Sequence, residues 1–157
     1  MESLNEQLMV ALPSDHKILT EVTKRSKAFW GYSPEQMEKW EEELTITMSY
    51  IVANQVYKLM IDNKLVGYYA LLKAENTDKI KLDNLFVLPE YMGKGYGKVL
   101  LEDCICRVKE QGFNVLTLDA DPHAESFYIH CGFKTVGKLA SSISGRYLPL
   151  MEFSLMS

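Results

Sequence analysis

The segment from residue 82 to residue 108 constrains the fold more than any other part of the chain. A strand-like apolar run ends at Pro89, and the glycine-rich turn 92–98 (MGKGYGK) follows it. The buried stripe of a helix comes next, formed by Gly97, Leu100, Leu101, Cys104, Ile105 and Val108. Gly112 stands where a helix C-terminus requires it. The pattern therefore predicts a strand, a tight turn and a long amphipathic helix.

A glycine-rich turn that opens a helix is typical of a phosphate-binding site. The first amides of a helix have no intrahelical partner, and they lie at the positive end of the helix dipole. Two common phosphate motifs do not fit, because Met92 replaces the first glycine of GxxxxGK[ST] and Lys98 replaces the third glycine of GxGxxG. The remaining pattern, GxGxG, predicts a phosphate-bearing ligand, with a turn that binds nothing as the alternative.

Two motifs, in the right order and at the expected distance, resemble the GCN5-related N-acetyltransferase (GNAT) superfamily. Residues 85–97 (LFVLPEYMGKGYG) are similar to its acetyl-CoA-binding segment, V-x-P-E-Y-[RQ]-G-x-G-x-G. Residues 121–133 (DPHAESFYIHCGF) are similar to N-x-x-A-x-x-F-Y-x-x-x-G-F. The chain departs from these patterns at Met92, which replaces Arg or Gln, and at Asp121, which replaces Asn but caps a helix equally well. The resemblance extends over residues 4–155.

The order of predicted elements agrees with that family. It is a strand at 8–12, helices at 18–31 and 33–44, strands at 56–61, 65–72 and 80–88, the long helix from Gly97, a strand at 115–118, a helix at 122–131, and strands at 135–139 and 148–155. We therefore predict an α/β fold: the single-domain GNAT fold, with a mixed central sheet of six to seven strands and helices on both faces. The domain is predicted to span residues 1–157.

Composition narrows the partners and the compartment. The formal net charge of −4 argues against a nucleic-acid or anionic-membrane surface. No apolar run approaches the length of a membrane span, and the polar start 1–7 does not resemble a signal peptide, so we expect a cytoplasmic monomer or homodimer. Cys104 and Cys106 lack the second cysteine pair of a zinc site, and we expect no metal.

The resemblance implies that acetyl-CoA is the cosubstrate. The backbone around residues 86–88 would pair with the pantetheine arm, and the amides of the glycine-rich turn would bind the pyrophosphate, with two lysines adding positive charge. The implied cofactor-binding residues are Phe86, Val87, Leu88, Gly93, Lys94, Gly95, Gly97, Lys98, Asp121, Ala124 and Phe127.

Two residues are predicted to be catalytic. Tyr128 matches the family position whose hydroxyl protonates the departing thiolate; the alternative is a packed aromatic residue whose hydroxyl is satisfied by a hydrogen bond. Asp83 is the first candidate for the base that deprotonates the amine, because strand alternation places it on one face with Leu85 and Val87. Glu125 is the second candidate, and a water without a side-chain base is the third possibility.

The predicted function is direct transfer of an acetyl group from acetyl-CoA to a primary amine of a small molecule or protein. A non-catalytic acyl-CoA-binding module is the alternative. The aromatic residues of segment 29–32 (FWGY) lie in a region that often forms a wall of the acceptor site in this superfamily. Arg146 lies in a GR-x-LP segment that resembles a bacterial subgroup of these enzymes. Its guanidinium is predicted either to bind an acceptor carboxylate or to form a structural ion pair.

Overall fold

The computed structural model of the protein describes residues 5–75 and 77–156. The first four residues of the predicted domain, which include most of its polar start, lie outside the described residues. The strands are β1 (Glu6–Val10), β2 (Gln55–Ile61), β3 (Lys64–Leu71), β4 (Lys79–Val87), β5 (Val115–Asp119), β6 (Lys134–Ala140) and β7 (Tyr147–Ser154). The helices are α1 (His16–Ala28), α2 (Pro34–Lys39), α3 (Glu41–Leu44), α4 (Met48–Ala53), α5 (Tyr96–Glu110) and α6 (Glu125–His130).

The seven strands form one mixed sheet in the order β1-β2-β3-β4-β5-β7-β6. All neighbouring strands are antiparallel except β4 and β5, which run parallel. The hairpin between β2 and β3 turns at Asp62 and Asn63, both of which have positive φ, as a two-residue hairpin loop requires. The predicted α/β class and its mixed sheet are confirmed.

Two hydrophobic clusters cover the two faces of the sheet. The larger one joins buried residues of α5 and α6, such as Leu100, Leu101 and Tyr128, to β3, β4 and β5. The smaller one joins Leu19 and Val22 of α1 and Ile51 of α4 to the opposite face. Helices therefore pack on both faces, as predicted, and the sheet is held from both sides.

The structure corrects three local predictions. The predicted helix 33–44 is interrupted at Trp40, which separates α2 from α3. The short helix α4 was not predicted, because its β-branched residues Ile51 and Val52 weaken the helical signal. The predicted helix 122–131 begins with one 3-10 turn, Pro122–Ala124, before α6.

Two irregularities of β4 create the cleft that contains the candidate site. Beyond Lys81 and Thr117 the parallel pairing of β4 with β5 stops, although both strands continue. A β-bulge also interrupts β4, because Ala70 of β3 pairs with Asn84 whereas Leu71 pairs with Leu82. The cleft thus opens at the carboxyl ends of the only two parallel strands in the described part of the sheet, a common ligand position in α/β proteins.

Within the described residues, no helix combines the length and the hydropathy of a membrane span. No group of three or more His, Cys, Asp or Glu side chains in that part of the chain is arranged to hold a metal ion.

Candidate active site

A cavity of about 980 Å³ lies between the diverging strands. One end is formed by the glycine-rich turn and the start of α5, and the other end by α1, the α2–α3 junction and the loop between β6 and β7. Tyr128, Asp83 and all the predicted cofactor-binding residues line this cavity, except Leu88 and Lys94. The fold therefore brings together residues that are far apart in the sequence.

The glycine-rich turn presents a row of backbone donors to this cavity. The amide of Val99 makes the first bond of the α5 ladder, to the Gly95 carbonyl at 3.1 Å. The amides of Gly93, Gly95, Gly97 and Lys98 find no acceptor among the described residues. Gly93 and Gly95 have φ of +76° and +87°, and a Cβ at either position would meet nothing within 4 Å, so the turn leaves open space for a ligand. These features fit a pyrophosphate group.

The side chains around this turn have different roles. An added Cβ at Gly97 would lie 3.5 Å from the Phe127 ring, an ordinary van der Waals contact, so α5 packs against α6 here with room for a small side chain. Lys98 is exposed and lies 3.9 Å from Glu102, and Lys94 lies over the ring of Tyr91 at 5.6 Å. Both ammonium groups are on flexible, solvated side chains at the edge of the turn, where they add positive charge to its surface.

The structure narrows the backbone groups of residues 86–88 that face the cleft. The Leu88 amide donates to the Val66 carbonyl at 2.8 Å, across the β3–β4 ladder. Because the ladder alternates, the backbone of Val87 points away from β3. Its carbonyl already accepts a hydrogen bond of 2.5 Å from the buried Ser26 hydroxyl. The Val87 amide is therefore the backbone donor of this segment that faces away from the sheet.

Tyr128 is buried on α6, with its ring against those of Phe127 and Phe133 at 5.1 and 5.3 Å. No hydrogen bond joins its hydroxyl to a described residue, and Tyr128 lines the cavity. Burial raises the pKa of the Tyr128 phenol above its ordinary value, and the nearby Cys104 thiol contributes in the same direction. The phenol is therefore protonated at neutral pH.

Asp83 lies at the β-bulge of β4, and its position corrects the predicted alternation. Leu85 and Val87 belong to the cluster on the α5 face, whereas the Asp83 carboxylate accepts a hydrogen bond of 2.6 Å from Tyr50, which packs on the opposite face. The same Tyr50 hydroxyl accepts a 3.1 Å bond from Asn84. The bulge turns Asp83 away from the face of Leu85, because one extra residue reverses the alternation. Asp83 still lines the cavity.

Glu125, the second candidate base, does not line the cavity. Its carboxylate accepts a hydrogen bond of 2.7 Å from the Thr135 hydroxyl of β6. The structure therefore gives this residue a bracing contact between α6 and the sheet.

The far end of the cavity contains a polar cluster centred on Asp121. Three side chains donate to its Oδ2 atom: Lys27 at 2.5 Å, Tyr32 at 2.8 Å and Arg146 at 3.3 Å. The backbone amide and the ring Nδ1 of His123 lie 2.9 and 2.8 Å from its Oδ1 atom. Burial opposes ionisation of Asp121, but the bonds from Lys27 and the His123 amide outweigh it and hold the pKa of this carboxyl well below its usual range.

Aromatic rings enclose this polar cluster. Trp30 stacks on the His123 ring, with centroids 5.1 Å apart and planes 8° apart. Lys27 lies 5.0 Å from the centroid of Trp40 and 5.3 Å from that of Tyr32. The predicted aromatic wall is therefore formed by Trp30, whereas Phe29 does not line the cavity and Tyr32 lies behind it.

Sequence reasoning missed Lys27, Trp40 and His123 as members of this end of the site. Lys27 and Asp121 are 94 residues apart, and no local periodicity connects them. His123 occupies an unspecified position of the second motif. The sequence signal nearby was the aromatic segment 29–32, of which Trp30 lines the cavity.

The sequence model described as an acetyltransferase (GNAT) domain matches residues 29–149 of the chain. The chain therefore belongs to the GNAT acetyltransferase family. It is 28% identical over 93 residues to an uncharacterized N-acetyltransferase, ycf52, of the red alga Gracilaria tenuistipitata var. liui, an alignment that covers 59% of this chain and 50% of that protein. The chain thus spans about half the length of the curated relatives it matches.

Solved structures of this family share the fold. The PaiA N-acetyltransferase of Thermoplasma acidophilum, solved in complex with coenzyme A, has a TM-score of 0.77 at 24% identity, over 96% of this chain and 99% of that one. The ribosomal-protein-S18-alanine N-acetyltransferase of Escherichia coli has a TM-score of 0.72 at 19% identity, over 98% and 96% of the two chains. At these identities the likeness concerns the fold alone.

Proposed function

We propose that the protein is an acetyl-CoA-dependent N-acetyltransferase that transfers the acetyl group directly to a primary amine. One observation carries this proposal: the unbonded hydroxyl of Tyr128 and the unpartnered amides at the start of α5 lie on the same cavity. A site that only bound a phosphate would be served by these amides and would not need a phenol with a free hydroxyl on the same cavity wall.

The chain offers a set of groups for each part of the cosubstrate. The amides of Gly93, Gly95, Gly97 and Lys98 would hold the pyrophosphate, and Lys94 and Lys98 would add positive charge. The Val87 amide would bind the pantetheine arm as an adjacent strand does. Ala124 and Phe127 would form the wall beside it. Acetyl-CoA supplies an acetyl group activated as a thioester.

Tyr128 would act as the general acid. Its raised pKa keeps the phenolic proton in place at neutral pH until negative charge develops on the departing sulfur. As the new C–N bond forms and the C–S bond breaks, Tyr128 gives its proton to the sulfur, the acetylated nitrogen releases a proton to solvent, and Tyr128 recovers one from solvent. This step leaves the free thiol of CoA and the N-acetylated amine as products.

Asp83 would prepare the amine, which is mostly protonated at neutral pH and must lose a proton before it attacks. Tyr50 donates to one carboxylate oxygen of Asp83 and thereby fixes its orientation. The second oxygen would take the proton, directly or through a water. Since Glu125 does not line the cavity, we propose Asp83 rather than Glu125 for this role.

A panel of primary amines tests the proposal. The purified protein is mixed with acetyl-CoA and each amine, and the release of free CoA thiol is compared with a reaction that lacks the amine. We expect amine-dependent thiol release and an N-acetylated product that mass spectrometry identifies. Binding of acetyl-CoA without thiol release from any small-molecule or peptide amine would instead identify an acyl-CoA-binding module.

A further inference from the structure

Two cations share one carboxylate at the far end of the cavity. The side chains of Lys27, Arg146 and Asp121 are only 17%, 16% and 13% exposed, and both cations contact Asp121. The other carboxylates that line the cavity, Glu43, Asp83 and Asp119, form an ion pair with neither of these cations. A largely buried charge that is incompletely paired is costly. A second anionic group beside Lys27 and Arg146 is therefore favoured at this end.

The Asp121 carboxylate cannot satisfy all the donors of Arg146. Its two oxygens already face five donor groups, and the contact with Arg146 is the longest of them at 3.3 Å. The strongest donor, Lys27, occupies the same oxygen as Arg146 at 2.5 Å. The ion pair with Asp121 consequently leaves most of the hydrogen-bonding capacity of Arg146 unused.

The Arg146 guanidinium has two buried nitrogens, Nε and Nη1, without any hydrogen-bond partner in the described part of the chain. The group lies over the rings of Tyr32 and Trp40, at 4.9 and 5.7 Å, which fixes its plane but satisfies none of its N–H groups. Such atoms are rare in folded proteins, because nearly all buried donors are bonded. Each of these two nitrogens forms an edge with Nη2, the atom that contacts Asp121 at 3.3 Å, and either edge matches the two oxygens of a carboxylate.

We infer that the acceptor is a small amine that also carries a carboxylate, and that Arg146, assisted by Lys27, binds that carboxylate. This inference rests on the proposed transferase function. Arg146 ends a turn that begins at Ser141, in which the Ser141 amide donates to the Arg146 carbonyl at 3.0 Å. Arg146 and Lys27 both line the cavity, so a carboxylate bound there lies beside both side chains.

Binding is tested without turnover, since both tryptophans of the chain, Trp30 and Trp40, line the cavity. Their fluorescence is followed while the CoA-saturated protein is titrated with N-acetyl-glycine, N-acetyl-leucine and N-acetyl-glutamate, and with the corresponding amides as neutral controls. We expect at least one acid to bind about 10- to 100-fold more tightly than its amide, the range of a charge-assisted bidentate contact.

Arg146→Gln is expected to remove this preference for acids, and Arg146→Lys to retain only part of it, because lysine keeps the charge and loses the fork. Arg25→Gln is the matched control, since Arg25 pairs with Glu90 on the exposed surface and does not line the cavity. It should leave the preference unchanged. Arg146→Lys also keeps the test valid if the glutamine variant does not fold.

Turnover then distinguishes the two proposals. The parent amino acids should be acetylated with a kcat/KM about 10- to 100-fold above that of their amides. Equal binding of acids and amides, or an acid preference that survives in both Arg146 variants, would overturn the inference even if amines are acetylated. Preferential binding of acids without any thiol release would support the carboxylate site and contradict the transferase.

Discussion

The indole Nε1 of Trp40 donates a hydrogen bond of 2.9 Å to the Ser142 hydroxyl, across a sequence separation of 102 residues. Trp40 is the residue at which α2 ends and α3 begins, and Ser142 belongs to the turn that ends at Arg146. This bond holds two surface segments together over the far end of the cavity, opposite the glycine-rich turn. The interruption of the predicted helix 33–44 thus has a role, because a straight helix would not present Trp40 in this way.

Gly95→Glu should abolish acetyl-CoA binding. The residue has a φ of +87° at the N-terminus of α5, and the substitution adds strain and a negative charge where the pyrophosphate is proposed to lie. We expect the thermal shift caused by acetyl-CoA to disappear, which corresponds to a Kd raised by about 100-fold or more. Differential scanning fluorimetry with increasing acetyl-CoA provides the measurement.

Gly112→Glu is the matched control for this variant. Gly112 has a φ of +88°, an added Cβ would also meet nothing within 4 Å, and it lies at the opposite end of the same helix. It should lose comparable stability and still respond to acetyl-CoA. A folded Gly95→Glu protein that binds acetyl-CoA normally would refute the assignment of the glycine-rich turn.

Tyr128→Phe should impair turnover without affecting stability. The substitution keeps the ring packed and removes only the hydroxyl, which has no partner among the described residues. We expect kcat to fall by about ten- to a thousand-fold, with little change in acetyl-CoA affinity or Tm. Steady-state kinetics and thermal melting of the same preparation are compared.

Tyr68→Phe gives the opposite pattern and serves as the control. The Tyr68 hydroxyl is buried 2.5 Å from the Thr23 hydroxyl and does not line the cavity. Its removal should cost about 1 kcal/mol of unfolding free energy and leave turnover nearly intact. Normal turnover in a stable Tyr128→Phe protein would exclude Tyr128 from catalysis.

Asp83→Asn should lower kcat by about ten- to a thousand-fold, because the amide retains an acceptor for Tyr50 but cannot take a proton from the amine. Acetyl-CoA affinity should not change. Glu125→Gln, which alters a carboxylate outside the cavity, should keep its turnover. If the Glu125 variant is the slow one, the assignment is reversed; if neither is slow, no carboxylate of this pair is the base.

Asp121→Asn should destabilise the protein at neutral pH by about 2–4 kcal/mol, because it leaves Lys27 and Arg146 without their counter-charge. The pKa of Asp121 is depressed in the folded state, so its contribution is complete above the unfolded-state pKa of about 3.9 and is lost as the pH falls below that value. The stability difference between the two proteins should therefore shrink below about pH 4. Urea unfolding from about pH 3 to about pH 7, a range that includes the first part of this loss, measures it; a constant difference would contradict the prediction.

The end of the cavity at the glycine-rich turn was predictable, because the sequence patterns that indicate it are local. The turn of Gly93 and Gly95 leads directly into the stripe of α5, and Tyr128 belongs to a second local motif, so helical spacing and the resemblance indicate each of them. The start of the predicted helix 33–44 is equally local, because the Ser33 hydroxyl accepts a bond from the Gln36 amide at 3.1 Å.

The far end of the cavity was not predictable in the same way, because it depends on contacts between residues that are distant in the sequence. The bulge that turns Asp83 is an unpaired residue in a regular apolar pattern, and alternation alone cannot locate it. Ile18 and Phe29 fit the helical spacing of α1 but are 39% and 56% exposed, since Thr23 and Ser26 take the buried positions. Polar residues at buried positions have partners in distant strands, as Ser26 has in the Val87 carbonyl.

The separation of β4 and β5 also divides the cavity into two parts that are built differently. Backbone geometry shapes the part at the glycine-rich turn, where Gly95 has a φ of +87°. The far end is assembled from α1, the Trp40 junction and the Ser141–Arg146 turn, linked by side chains such as Trp40 and Ser142. Connecting segments at the surface vary readily during evolution. Under the proposed function, substitutions in these links would change which amine is accepted, while the backbone proposed to hold acetyl-CoA stays in place.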